Sequence, residues 1–355
     1  MTPIDRSPGS PSLSRFFALM APIVLCAASL PAQTPSFVTF DAPDAGVGNL
    51  QGTVPTCISR GGVIAGYYLD VTSKSHGFFR QSNGLITEFD VPGLASPSVL
   101  GINSHGQIVG NGSRASSSGN TVHGWLRNPN GHFVLIDPPG TTFTSPAGIN
   151  DAGEIAGTWV DAGGVLHGFL RAANGTYTTL DDPDGTQSIT EGTQSFALNG
   201  NGAVVGNYDD TNTADVRAYV RDQFGNYTNF DAIAGGSLEI FPIAINLNGQ
   251  IAGSYYNSGP GTHSFLRDAS GGVTDFDMPG ATDTVPSGMN DSAVIVGEWF
   301  DGHTNRGFQR DASGTLTSFF APGPNQGTYP AGINNNGKIT GYYWDTANTA
   351  HGFLK

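Results

Sequence analysis

Cysteine is nearly missing from this chain: Cys26 and Cys57 are the only two in 355 residues. If Cys26 leaves with an N-terminal leader, Cys57 has no partner and no internal disulfide can form. Stability must then come from a packed core and from the way the fold closes. Charge is scarce too, at 12% of residues against about a quarter in ordinary globular chains. Lys and Arg number 15 and Asp and Glu 29, for a formal net charge of −14. Cations so few and so scattered build no basic face to displace counterions from phosphates, which argues against nucleic acid as a partner. Glu occurs five times, at Glu88, Glu154, Glu191, Glu239 and Glu298. With no window showing an apolar period of 3.6 residues, long helices and coiled coils are excluded. Short catalytic motifs are missing as well. There is no Gly-x-Ser-x-Gly elbow, no His-Glu-x-x-His, no phosphate loop and no EF-hand loop, so nothing local marks an enzyme.

What the chain does contain is glycine, 51 residues of it, with 38% hydrophobic and 10% aromatic residues. That is enough apolar material for a core, so disorder is not expected. One long apolar run exists, Phe16 to Leu30, after Arg6 and Arg15. It is too short for a span of roughly 20 residues, and Pro22 interrupts it. Residues 1–32 therefore read as a signal peptide cleaved after Ala32. The alternatives are an uncleaved anchor, or acylation at Cys26, which Leu25 in the preceding position disfavours. The mature chain, 33–355, is expected to be secreted or extracellular, with periplasm or cell surface as other destinations. It is expected to have no membrane span and to be a monomer.

Internal repetition dominates the rest. GINNNGKITGYY at 332–343 matches GINDAGEIAGTW at 148–159 and GINSHGQIVGNG at 101–112, with weaker copies starting at 57, 197, 244 and 288. A second signature follows each copy, such as HGFFR at 76–80 and HGFLR at 167–171. A third, such as ITEFDVPG at 86–93, carries an Asp at 41, 90, 137, 181, 231 and 277, with Phe320 in the seventh place. The spacings are 49, 47, 44, 50, 46 and 43 residues. A period near 46 holds four short strands, here called a to d, and four turns. Strand content with that period is the mark of a propeller blade. The expected fold is all-β: a seven-bladed β-propeller of four antiparallel strands per blade. The last copy stops after strand c, while FVTFD at 37–41 is an orphan strand d. The N-terminal strand should therefore close the ring.

These residues resemble the HAF-type extracellular repeat family, bacterial secreted proteins built around Gly-Ile-Asn-x-x-Gly-x-Ile-x-Gly and His-Gly-Phe. The resemblance covers nearly all of 37–355. It implies an exported repeat protein, and it brings no general activity. Arg217 and Arg306 replace the His, and Ser59 replaces the Asn.

A feature present in every repeat is most simply architectural. Asn-x-x-Gly reads as a tight a–b hairpin, because Asn bonds its own backbone and Gly accepts positive φ. The glycine inside strand b suggests close approach between neighbouring blades near the axis. His76, His123, His167, His263 and His351 stand one per repeat, too far apart to share a metal that needs ligands within about 2 Å of one point. No metal or cofactor is expected from them. The a–b and c–d turns are short and alike, whereas the b–c and d–a loops vary. Variable loops on a rigid frame are the usual seat of recognition. One column there pairs an aromatic with Asp two residues on: Tyr68 and Asp70, Trp159 and Asp161, Trp299 and Asp301, Tyr343 and Asp345. These eight are the candidate ligand-binding residues, suited to stacking and bonding a sugar, or to an acidic collar for calcium. Packing and turn formation explain the same column. The expected function is a non-catalytic binding or scaffolding module for a polysaccharide or an extracellular protein. The alternative is a secreted glycan-active hydrolase or lyase, whose paired carboxylates would come from different blades.

Overall fold

The computed structural model describes residues 36–116, 119–213, 215–233, 238–323 and 326–355. The expected leader, 1–32 with Cys26, lies outside the described residues. Phe37–Lys355 form one unit, and every regular element in it is a strand.

In the first repeat, strands a (Gly52–Ile58), b (Ile64–Leu69), c (Ser75–Arg80) and d (Ile86–Phe89) pair antiparallel in that order. The same up-and-down order returns in the repeats that follow. In the last repeat, a (Gly327–Ile333), b (Ile339–Trp344) and c (Ala350–Leu354) pair alike. Its fourth strand is Val38–Phe40, antiparallel to c in the register Val38 to Leu354 through Phe40 to Gly352. The orphan strand thus sits where the repeat arithmetic places it.

Each meander buries a ring from strand c. Phe78, Trp125, Phe169, Tyr219, Phe265, Phe308 and Phe353 are all fully buried. So is the first residue of each strand b, Ile64 and Ile155 among them. A buried ring of this size contributes about 2–3 kcal/mol through apolar burial, and it explains the aromatic in His-Gly-Phe. The strand b glycine serves the same ring. A Cβ on Gly66 would strike the Val54 carbonyl and the Phe78 ring, and one on Gly253 the Phe241 carbonyl and the Phe265 ring. The close approach is therefore inside one meander, between strands a, b and c. The expectation that it joins neighbouring repeats is corrected on this point.

Neighbouring repeats are joined by the Asn of Gly-Ile-Asn. Its Oδ1 accepts the turn N–H groups, as the hairpin reading requires: Asn199 takes those of Asn201 and Ala203, both at 3.0 Å. Its Nδ2 then donates to the backbone carbonyl of the Asn one repeat on. Asn103 reaches Asn150 at 3.1 Å, Asn150 reaches Asn199 at 3.2 Å and Asn199 reaches Asn246 at 3.0 Å. Asn246 reaches Asn290 at 3.4 Å, Asn290 reaches Asn334 at 3.1 Å, and Asn334 reaches Ser59 at 3.3 Å. Ser59 is too short to pass the chain on to Asn103. Its Oγ accepts only the Val63 N–H, at 3.1 Å. Replacing Ser59→Asn is expected to add the missing link and stabilise by about 1 kcal/mol. A thermal melt checks this, and an unchanged midpoint would show that the staple contributes nothing at that seam.

The Arg that ends strand c makes a second joint. Arg127 stacks on Phe89 at 5.2 Å, Arg267 on Phe230 at 4.8 Å and Arg310 on Phe276 at 5.0 Å, in each case the strand d ring of the preceding repeat. Arg80 stacks in the same way on Phe40 at 4.9 Å. Phe40 belongs to the N-terminal strand, which therefore serves the first repeat as these three strands d serve their successors. Such contacts are worth about 0.5–1 kcal/mol where partly exposed.

Candidate functional site

The a–b hairpins of six repeats line one recess of about 440 Å³. Its walls include Asn150, Asn199, Asn246, Asn290 and Asn334, with Arg60 and Asp291 paired at 3.6 Å. Those polar groups are occupied in holding the hairpins together.

The aromatic–Asp column is held inside its own repeats. Asp70 Oδ1 accepts the Thr72 and Lys74 N–H groups at 2.8 and 2.9 Å. Asp161 takes those of Gly163 and Val165 at 2.8 and 2.9 Å, and Asp345 those of Ala347 and Thr349, both at 2.8 Å. Asp301 accepts from His303 and Thr304 at 2.9 and 2.8 Å, and from Arg306 Nε at 2.7 Å. The Thr72 hydroxyl and the turn N–H groups hold the Asp70 carboxyl down to about 2. The Arg306 guanidinium does the same for Asp301. The aromatic partner lies over the strand c His: Trp159 on His167 at 4.7 Å, Tyr68 on His76 at 5.0 Å and Tyr343 on His351 at 5.2 Å. Each of these His also meets the strand d Asp through Nδ1, with His76 to Asp90 at 2.7 Å and His167 to Asp181 at 2.8 Å. Where Arg replaces His, the charge pairing persists: Arg217 contacts Asp210 at 2.7 Å and also Asp231. In the second repeat, which lacks the column, Thr121 Oγ1 meets His123 Nε2 at 2.8 Å instead. Among the described residues, no group of three or more His, Cys, Asp or Glu could hold a metal ion.

A different place gathers side chains from several repeats without occupying them. Phe196, Phe241 and Val285 lie in the strands a of three consecutive repeats. With Ile243, Tyr256 and Glu239 they line a groove of about 540 Å³. Glu239 opens its strand a and Tyr256 closes its strand b, so the groove lies at the end carrying the b–c and d–a loops. Phe196 and Phe241 meet at 6.3 Å, and Phe241 meets Tyr256 edge-on at 6.2 Å. Tyr256 remains 42% exposed. Thr262 and Val285 also line a second recess of about 360 Å³, together with Asp283, Glu298, Trp299 and Asn305. The two recesses adjoin through those shared residues.

Glu298 is the unusual group here. It is half-buried, its Oε2 is shielded from solvent, and that oxygen has no hydrogen-bond partner. Burial pushes its carboxyl pKa up because the charged form loses hydration with no donor to replace it. Asp283 differs, since its Oδ1 accepts the Thr262 N–H at 2.9 Å. Of the eight residues expected to bind a ligand, Trp299 lines this region. The other groove residues do not recur from repeat to repeat and so left no column to find. One signal was available: where Glu298 stands, the other strands b carry Tyr67, Asn111, Thr158, Asn207, Ser254 and Tyr342.

No family model matches the chain, and no curated protein matches it. Solved structures do. Virginiamycin B lyase from Staphylococcus aureus aligns over 90% of this chain and 99% of its own, with a TM-score of 0.56 and 16% identity. The β-propeller domain of the Trilobed protease from Pyrococcus furiosus, described as having an open velcro topology, aligns over 85% and 95%, with a TM-score of 0.59 and 9% identity. A prolyl endopeptidase aligns over 83% of this chain and 46% of its own, with a TM-score of 0.60 and 12% identity. At such identities the likeness concerns the fold alone. The chain is an all-β protein with a β-propeller fold.

Proposed function

We propose that this chain is an exported propeller of seven blades, closed into one ring by its N-terminal strand, and a member of the HAF-type repeat proteins. Seven copies of the repeat and the pairing of Val38–Phe40 with Ala350–Leu354 support the ring. Its function is that of a non-catalytic binding or scaffolding module for an extracellular protein or polysaccharide, and it needs no cofactor. One observation carries this. The groove between Phe196, Phe241 and Tyr256 presents apolar and aromatic surface beside the unpartnered Glu298 Oε2, at the end where the loops diverge. The groove is preferred over the Trp159–Asp161 column because the column's bonding capacity is spent on its own turns. The test is to screen the mature chain on a glycan array and against extracellular-protein peptides, then repeat the hits with Tyr256→Ala. A loss of about ten-fold is expected, the size usual for a central aromatic contact. The pair Asp161→Asn and Asp301→Asn should change affinity far less. The reverse pattern would return the site to the column.

A second reading has its own support. Glu298 and Asp283 share one recess, one carboxyl pushed toward its neutral form and the other bonded by a backbone N–H. Carboxyls in unequal environments are the equipment of glycan hydrolysis. In that case Glu298→Gln would abolish turnover of a captured glycan and spare its binding.

A further inference from the structure

The lining of the groove is lopsided in charge. Glu239, Asp283 and Glu298 border its two recesses, and among the described residues no Lys or Arg lines either of them. The chain as a whole carries a net charge of −14. Glu298 Oε2 is enclosed and lacks any donor. A buried acceptor without a donor is costly in the free protein, and a donor carried in by a ligand relieves that cost. A cationic donor does so best, since it also meets the surrounding negative potential. The wall beside it is apolar. Phe196, Phe241, Ile243 and Val285 have no polar side-chain atom, and the hydroxyls of Ser254, Tyr256 and Thr262 with the Glu239 carboxyl are the only side-chain polar groups among the described lining residues of this groove, fewer than a hydroxyl-covered sugar calls for.

We propose that the groove takes a peptide segment in which a Lys or Arg side chain is flanked by apolar residues. The cation pairs with the Glu298 carboxylate, and the flanking side chains lie on Phe196, Phe241 and Tyr256. A long Lys or Arg stem suits a reach past Thr262 and Val285, the residues that line both recesses. This rests on the assignment of the groove as the binding site and adds the chemistry of the partner.

Two matched probes test it: an acetylated, amidated Phe-Lys-Phe tripeptide and the same peptide with norleucine for Lys, titrated calorimetrically into the mature chain. The wild type is expected to bind the Lys peptide at least ten-fold more tightly. Glu298→Gln should bring the two affinities together, because the amide keeps the shape and loses the charge. That variant breaks no hydrogen bond made by Glu298 Oε2, and an unchanged or raised melting temperature will show that it folds. Tyr256→Ala should weaken both peptides. Equal affinities of the wild type for both probes, with Tyr256→Ala still weakening them, would overturn the cation assignment and leave the groove standing. Binding indifferent to Tyr256→Ala and Phe241→Ala would overturn both. So would a glycan hit that ignores Tyr256. Absence of binding by either peptide at about 5 mM, an affinity too weak to matter, would overturn the peptide inference alone if a glycan is captured through Tyr256.

Discussion

A variant lacking residues 37–42 is expected to lose its single cooperative thermal transition and to aggregate. Those residues supply the strand that covers Ala350–Leu354. Without it the edge of strand c is a row of open N–H and C=O groups, the usual template for pairing with another chain. Much else leaves with it. Phe37 packs on Phe353 at 5.7 Å and on Phe319 at 6.1 Å. Phe40 supports Arg80 at 4.9 Å. The buried Ala42 N–H donates to Thr53 Oγ1 at 2.9 Å, and Asp41 meets His351 at 3.0 Å. Losing two ring contacts and exposing Phe353 costs about 5 kcal/mol or more, a large part of any domain's stability of about 5–15 kcal/mol. Among the described residues no disulfide holds the seam, since Cys57 is a free thiol. Calorimetry and light scattering report the outcome, and an unchanged melting profile would sink the closure model.

The scaffold was legible because it repeats. Each copy must make the same turns and bury the same ring, so Gly-Ile-Asn, the strand b glycine and His-Gly-Phe recur and betray the strands between them. Roles that act within one repeat were readable in kind: Asn103 and its counterparts are turn residues, and the His residues are hydrogen-bonded. Roles that act between repeats were not. That Asn199 Nδ2 reaches the Asn246 carbonyl, or that Arg267 lies on Phe230, depends on how far neighbouring meanders are rotated, which no spacing states. Repetition also drew the search for a site to the residues that recur. Asp161 and Asp301 recur because every repeat needs that turn. The groove proposed as the site is lined instead by side chains that do not recur, Phe196, Phe241 and Tyr256, with Glu298 in the adjoining recess. Glu298 stood out in its own column as one carboxyl among amides, hydroxyls and tyrosines. Its lack of a partner is a fact of three dimensions.

Asn199→Ala is expected to destabilise by about 3 kcal/mol, and Asn199→Asp separates the two reasons. In the alanine variant the N–H groups of Asn201 and Ala203 lose their acceptor, and the Asn246 carbonyl keeps only the Gly249 N–H as donor. Asn199 is only 6% exposed, so water restores little, and each orphaned group costs roughly 1 kcal/mol or more. Asp keeps the acceptor for the turn, where it is as good a residue as Asn. It replaces the Nδ2 donor by an oxygen facing the Asn246 carbonyl. If the side chain served the hairpin alone, Asn199→Asp would be nearly neutral. If it staples the repeats, the variant loses about 1–2 kcal/mol at neutral pH, the cost of setting a carboxylate oxygen against the Asn246 carbonyl in place of a donor. Acid should act on the staple alone: the turn N–H groups favour the carboxylate, whereas only the protonated carboxyl can donate to the Asn246 carbonyl, so that share of the loss shrinks once the group is protonated. Urea unfolding of the wild type and both variants at pH 7 and pH 4 decides the matter. An aspartate variant as stable as the wild type at pH 7 would reduce this Asn to a turn former and leave the repeats joined by their cores and by the Arg–aromatic contacts.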